Sequence, residues 1–250
     1  MKVTFEQINI LGEIIYEDDY VKHYHFQEML TRYDSNYIEF KKMPSVEVFQ
    51  QWEKSLREFH RKNNQNHLKF KFPPNEQIPD TLKYYLKRVQ YNIGFLELYS
   101  IQPSQFSIRK NGSVNVQFVT EEQLEPFLKL QYNEDVKYGV NFAKEKQQLQ
   151  LRRFNDADTY FLIAYFEGIP AGYVEVIEKE STVEIDNLFV LEEQRHKGIG
   201  GHLQQAVMEK FPNKTVILVA DGEDTPKDMY QKQGYEYQGF QFEVSKVEIF

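Results

Sequence analysis

Two hydrophobic rhythms alternate along the chain. Val114-Asn115-Val116-Gln117-Phe118 has the period of two of a half-buried strand. Leu124, Phe127, Leu128 and Tyr132 then recur at helical spacing behind Thr120-Glu121-Glu122. "YFLIAYFEGIPAGYVEVIE" reads as a hairpin turning at Glu167-Gly168-Ile169-Pro170, and "TVEIDNLFVL" as a third strand. Leu203, Ala206, Val207, Lys210 and Phe211 keep helical spacing until Pro212 and Asn213 stop it. The β-branched run Thr215 to Ala220 fits a central strand covered on both faces. In "TPKDMYQKQG", Thr225 is the expected cap, Pro226 the first helical residue, Asp228 the closing member of a capping box and Gly234 the stop. "YEYQGFQFEVSKVEIF" reads as one or two strands.

The amino-terminal half carries a related pattern. "HLKFKFPPNEQIPDTLKYYLKRVQYNIGFLEL" runs strand, proline-started helix, strand, as does "TVILVADGEDTPKDMYQKQGYEYQGFQFEV". In each, a tyrosine stands nine residues before a Gly-Phe pair: Tyr85 before Gly94-Phe95, Tyr230 before Gly239-Phe240. Duplication and coincidence in a chain rich in aromatics both fit this match. The polar segment "QPSQFSIRKNGS", with Pro103 and the Asn111-Gly112 turn pair, marks a boundary between domains at 1–105 and 113–250.

Composition narrows the functions. The 250 residues hold 38 acidic and 30 basic side chains, a formal net charge of -8, which repels phosphate backbones and argues against a nucleic-acid partner. There is no cysteine, which excludes disulfides, thiolate metal sites and a cysteine nucleophile. No apolar run reaches the roughly 18 residues of a spanning helix, so the expectation is a cytoplasmic protein without a membrane partner.

Three glycines stand within four residues in "LEEQRHKGIGGHL", between an apolar strand and an amphipathic helix. Such a loop offers free backbone N–H groups at the positive end of a helix dipole, a seat for phosphate. The dinucleotide fingerprint fails at Leu203, and the ATP-binding G-x-x-x-x-G-K-[ST] is missing. What fits is [QR]-x-x-G-x-[GA], as Arg195-His196-Lys197-Gly198-Ile199-Gly200. The preceding strand changes phase: Val183 and Ile185 alternate, Asn187 breaks the pattern, and Leu188 to Leu191 are all apolar. Both a bulge near Asn187 and a strand with a buried end have that pattern.

From about Val114 to Phe250 the chain resembles the GNAT superfamily, the acyl-CoA-dependent N-acetyltransferases, through this loop, the layout before it and the "MYQKQGY" ending. The resemblance implies an α/β mixed sheet of GNAT-like acyl-CoA N-acyltransferase fold, beside a smaller, degenerate GNAT-like amino-terminal unit lacking the glycine loop. It implies acetyl-CoA as acyl donor, held by Arg195, His196, Lys197, Gly198, Ile199, Gly200 and Gly201, with the backbone of Leu188, Phe189 and Val190 binding the pantetheine arm. Tyr230 falls where many members keep a tyrosine beside the CoA sulfur and is the expected proton donor. Glu184, six residues before Val190, is the candidate base, with Asp186 as fallback; two solvated carboxylates would look the same.

The chain departs from the family pattern at Glu223 and Pro226, where asparagine and a small residue are common. His196 reads as solvent-facing, and no metal site is expected. The leading reading is an N-acetyltransferase acting on a primary amine of a small molecule or peptide. A non-catalytic acyl-CoA-binding or sensing protein is the alternative. An aminoacyl transferase using charged tRNA fits the acidic balance poorly.

Overall fold

The computed structural model of the chain describes residues 2–223 and 226–248, apart from the side chains of 226–228. The expected cap at Thr225 and the Asp228 side chain lie outside the described residues. In chain order the elements are β1 (Glu13–Glu17), β2 (Val21–His25), β3 (Tyr37–Phe40), α1 (Val46–Lys62), β4 (His67–Lys71), α2 (Asp80–Arg88) and β5 (Asn92–Ile101). They continue with β6 (Val114–Phe118), α3 (Glu121–Asp135), α4 (Val140–Arg153), β7 (Thr159–Phe166), β8 (Ile169–Glu178) and β9 (Thr182–Val190). The last are α5 (Ile199–Lys210), β10 (Thr215–Asp221), α6 (Pro226–Lys232) and β11 (Glu236–Val247).

These elements form two compact units. The first comprises Ile10–Glu97, Ala220–Pro226 and Gly239–Phe250; the second comprises Met1–Asn9, Leu98–Val219 and Lys227–Gln238. The sequence suggested a single cut at 102–113, yet that segment lies inside the second unit, and the chain passes between units within β5 and again near the start of β11. No helix among the described residues is long and apolar enough to cross a membrane.

In the first unit the strand order is β1-β2-β3-β4-β11-β5. β1 to β3 are antiparallel, β3 and β4 are parallel, and β11 runs antiparallel to β4. A parallel neighbour requires a crossover, supplied here by α1, whose cap is Ser45 Oγ accepting from the Val48 N–H. The helices cover Phe40, Phe70 and Phe72 with Phe49, Leu56, Leu82 and Leu86. Behind this core His23 and His25 of β2 flank the Phe59 ring, and the rings of His60 and His67 stand 4.5 Å apart. Burial lowers His23 and His60 to about 4 and His67 to about 3, each further lowered by a neighbouring imidazole. These histidines are therefore neutral at pH 7.

The second unit orders its strands β5-β10-β9-β8-β7-β6. β6 to β9 form an antiparallel meander, and β10 joins β9 in parallel after the α5 crossover. Glu167 (φ 51°) and Gly168 (φ 82°) form the β7–β8 turn, the backbone that a two-residue hairpin needs. α3 packs Phe127, Leu128 and Leu130 onto Phe161, Ile163, Tyr173 and Phe189 on one face of this sheet. On the other face Ile199 of α5 approaches Gly172, where a Cβ would meet Phe189 O and Ile199 Cγ2. Both units thus repeat an antiparallel meander, a helical crossover and a parallel neighbour. The β4-α2-β5 and β10-α6-β11 segments match the repeat expected from sequence, element for element.

Candidate active site

The site is built around a change in β9. Cα pairing with β8 runs Glu178–Val183, Ile177–Glu184, Val176–Ile185 and Glu175–Asp186, then slips, resuming at Tyr173–Phe189. Asn187 and Leu188 together oppose Val174, and Asn187 takes φ 48°, so the phase change in the sequence is a β-bulge. On its other edge β9 pairs with β10 from Thr182–Thr215 to Ile185–Leu218 and no further. Beyond Ile185 the two parallel strands part. The half-buried Leu188, Phe189 and Val190 lie along the parted edge.

The glycine loop lies next to that edge, since a Cβ on Gly200 would stand 3.7 Å from Val190 Cγ2. Arg195 is extended, His196 takes φ 63°, and Gly198 (φ 83°, ψ 5°) starts α5 in the left-handed region that glycine enters without steric cost. The first helical bond runs from the His202 N–H to Gly198 O at 3.1 Å, so the amides of Ile199, Gly200 and Gly201 precede the helical ladder. Arg195 and His196 are exposed. Lys197 Nζ donates to Gln194 Oε1 at 2.7 Å and lies 4.6 Å above the Phe166 ring.

A clamp absent from the sequence reading fixes this loop. Asn111 Nδ2 donates to Lys197 O and its N–H to His202 Nε2, both at 3.0 Å. With Nε2 accepting, His202 Nδ1 carries the proton and donates to Gly198 O at 2.9 Å. The Asn111-Gly112 pair, legible as a turn, gave no hint of its distant partner.

Tyr230 is 9 % exposed on α6, its ring 5.4 Å from both Tyr99 and Tyr235. Burial pushes its hydroxyl up to about 12. Tyr235 OH donates to Gln204 Oε1 of α5 at 2.8 Å, which ties the end of this segment to the helix that follows the loop.

Glu184 is 6 % exposed and lies opposite Ile177 and Ile217, where the sheet is still closed. Its Oε2 accepts from the Asn9 N–H at 2.6 Å. Burial, then the charge of Asp186, raises its carboxyl to about 8. Cross-strand pairing puts Glu184, Asp186, Glu175 and Phe189 on the α3 side of the sheet, with Val190 and the loop on the α5 side. The predicted loop and strand edge are thus brought together, whereas Glu184 is on the opposite face, three residues before Asn187 of the bulge.

Sequence reasoning missed Glu175. It is 1 % exposed in the middle of β8, and four side chains donate to it: Gln131, Gln150 and Asn187 to Oε1, each at 2.7 Å, and Arg153 to Oε2 at 2.8 Å. A charge interrupting the apolar run from Ala171 to Ile177 was its signal. Among the described residues no three or more histidines, aspartates or glutamates are arranged to hold a metal.

The chain belongs to the GNAT acetyltransferase family: the model described as an acetyltransferase (GNAT) domain matches residues 121–250. Residues 3–99 match a domain of unknown function (DUF5613). No curated protein matches the chain. Among solved structures, a functionally unknown conserved protein from Staphylococcus epidermidis ATCC 12228 is 35% identical, with 99% of each chain covered and a TM-score of 0.91. A GCN5-related N-acetyltransferase from Kribbella flavida aligns at 12% identity over 94% of this chain and 89% of its own, TM-score 0.61. A tandem GNAT protein from the clavulanic acid biosynthesis pathway aligns at 12% identity over 84% and 74%, TM-score 0.53. The last two share the fold.

Proposed function

We propose that this protein transfers an acetyl group from acetyl-CoA to a primary amine of a small molecule or peptide. The observation that carries the reading is the parting of β9 and β10 beside a glycine loop that opens a helix. The loop amides and the dipole of α5 receive the pyrophosphate. The parted edge at Leu188–Val190 receives the pantetheine arm as an added strand, and a backbone N–H near Phe189 polarises the thioester carbonyl.

The amine, neutral on attack, forms the C–N bond as the carbonyl carbon becomes tetrahedral, and collapse breaks the C–S bond. Glu184 takes the proton from nitrogen, because a carboxyl raised to about 8 is a far better base than an ordinary one. Tyr230 plays a different part from the proton donor expected at first. A phenol pushed up to about 12 is a weaker acid than a thiol near 8.5, so full proton transfer is uphill. It therefore stabilises the departing thiolate by donating a hydrogen bond. Asp186, on the same face as Glu184, suits a cationic amine.

Thermal unfolding with acetyl-CoA, and with ATP and NAD as controls, tests the donor. Saturation near 100 times Kd adds about 2.7 kcal/mol, worth roughly 2 to 4 °C per kcal/mol. A thiol reagent then reads CoA release across an amine panel with no background, since the chain lacks cysteine. No shift with acetyl-CoA would sink the proposal. A shift without thiol release from any amine would leave a non-catalytic acyl-CoA-binding protein, the reading that the Glu223 and Pro226 departures favour.

A further inference from the structure

Desolvation makes a fully buried carboxylate expensive, and a well-packed apolar residue would serve β8 as well. Burial pulls the Glu175 carboxyl upward, yet Lys146 and Arg153, with Asn187 and Gln150, outweigh it and hold the group below the ordinary range. It is an anion, enclosed by donors from α3, α4 and β9.

One of those donors is out of phase. Asp186 pairs with Glu175 and shares its face, so in a regular strand the next residue would point to the opposite face, toward α5. Asn187 takes φ 48° instead, and its Nδ2 reaches Glu175 Oε1 at 2.7 Å. This hydrogen bond exists only in the bulged strand. Straightening β9 would carry the amide to the other face and remove one of the carboxylate's donors.

We propose that Glu175 is a positioning residue: its hydrogen bond to Asn187 pins the β9 bulge and so holds the Leu188–Val190 edge apart from β10, ready for the acyl donor. The use made of that edge rests on the acetyl-CoA reading above; the pinning does not. Gln131, Gln150 and Arg153 fix the carboxylate from the helix side, so the bulge is referenced to α3 and α4. Charge on Glu175 is part of the device, since a buried carboxylate attracts amide donors more strongly than a neutral acceptor does.

The test uses the whole chain. Asn187→Gly keeps access to positive φ and deletes the amide, so the fold survives while the pin is lost. Amide hydrogen exchange in the ligand-free protein is followed at Phe189, paired with Tyr173, and at Leu191, whose N–H donates to Ala171 O at 2.9 Å. The expected result is exchange at least tenfold faster at both, with Val176 unchanged, and acetyl-CoA affinity at least fivefold weaker. Asn187→Asp, which sets a second carboxylate against Glu175, should lose affinity in the same way. Adding Glu175→Gln should restore most of it, because the glutamine amide donates to the new aspartate. Exchange equal to the parent protein in Asn187→Gly overturns the proposal, as does failure of the swapped pair to recover slow exchange. Faster exchange in a protein whose parent form binds no acetyl-CoA supports the pin and overturns the donor reading.

Discussion

Burial raises both side chains to which the proposal gives chemical roles, Tyr230 and Glu184. On the proposed chemistry, Tyr230→Phe removes one hydrogen bond to the departing thiolate and nothing from the loop, so turnover should fall about tenfold or more with acetyl-CoA affinity unchanged. Equal turnover would remove Tyr230 from the chemistry. Glu184 titrates near 8, so acetyl transfer should rise with pH up to that point and level off, and Glu184→Gln should abolish the inflection. A carboxyl raised in the fold holds its proton when the unfolded chain has lost it, so its contribution is greatest below about 4.5 and is lost as pH rises through about 8. Against the parent protein, Glu184→Gln should therefore gain relative stability above pH 8 in urea unfolding. The residue was legible as a strand neighbour of Asp186. Its burial was not, because the N–H that covers it belongs to Asn9, 175 residues away.

Elements were legible wherever a rhythm changed. The β7–β8 hairpin, the break at Asn187 and the strand-loop-helix order around Gly198 follow from local spacing and glycine placement. α4 was not foreseen: it begins after Gly139 at φ 114°, and its buried residues include Lys146, Gln150 and Arg153, polar side chains whose burial makes sense only once Asp135 and Glu175 are seen to receive all three. Gly198→Ala forces a side chain into φ 83°, costing on the order of 1–2 kcal/mol, and should lower both the melting temperature and acetyl-CoA affinity. An unchanged affinity would separate the loop from the donor site. The histidines behind α1 make a separate prediction. Their folded values lie near 3 to 4 against 6.5 unfolded, so the unfolded chain binds more protons, and stability is lost as pH falls from about 6.5 toward 4. The chain's one tryptophan, Trp52 on α1, reports on that unit. Its urea midpoint should drop steadily across this window; a flat profile would mean that the imidazoles become charged without penalty.

At the scale of the whole molecule the sequence shows a chain in two halves, and the structure shows two units that borrow from each other. Residues 102–113 lie between β5 and β6 with only a single 3-10 turn at Pro103–Gln105, which is why they look like a linker. Covalent order and compactness diverge because β5 ends in the second unit and β11 runs mostly in the first. Pattern within a segment cannot reveal which strands it will pair with. A fragment of residues 113–250 would lack Leu98, which packs with Val3 and Ile217, and should be insoluble or unfolded by circular dichroism; a cooperative melt would refute the dependence. A fragment of 1–105 would lack β11 between β4 and β5 and should fail likewise.

That interior position of β11 carries over to synthesis on the ribosome. The half made first cannot close its sheet until β11 has emerged, because the strand that belongs between β4 and β5 follows β6 to β10 in the chain. Two unpaired strand edges wait while β6 to β10 are made, the condition in which nascent chains associate wrongly and chaperones are recruited. The domain synthesised first finishes folding last.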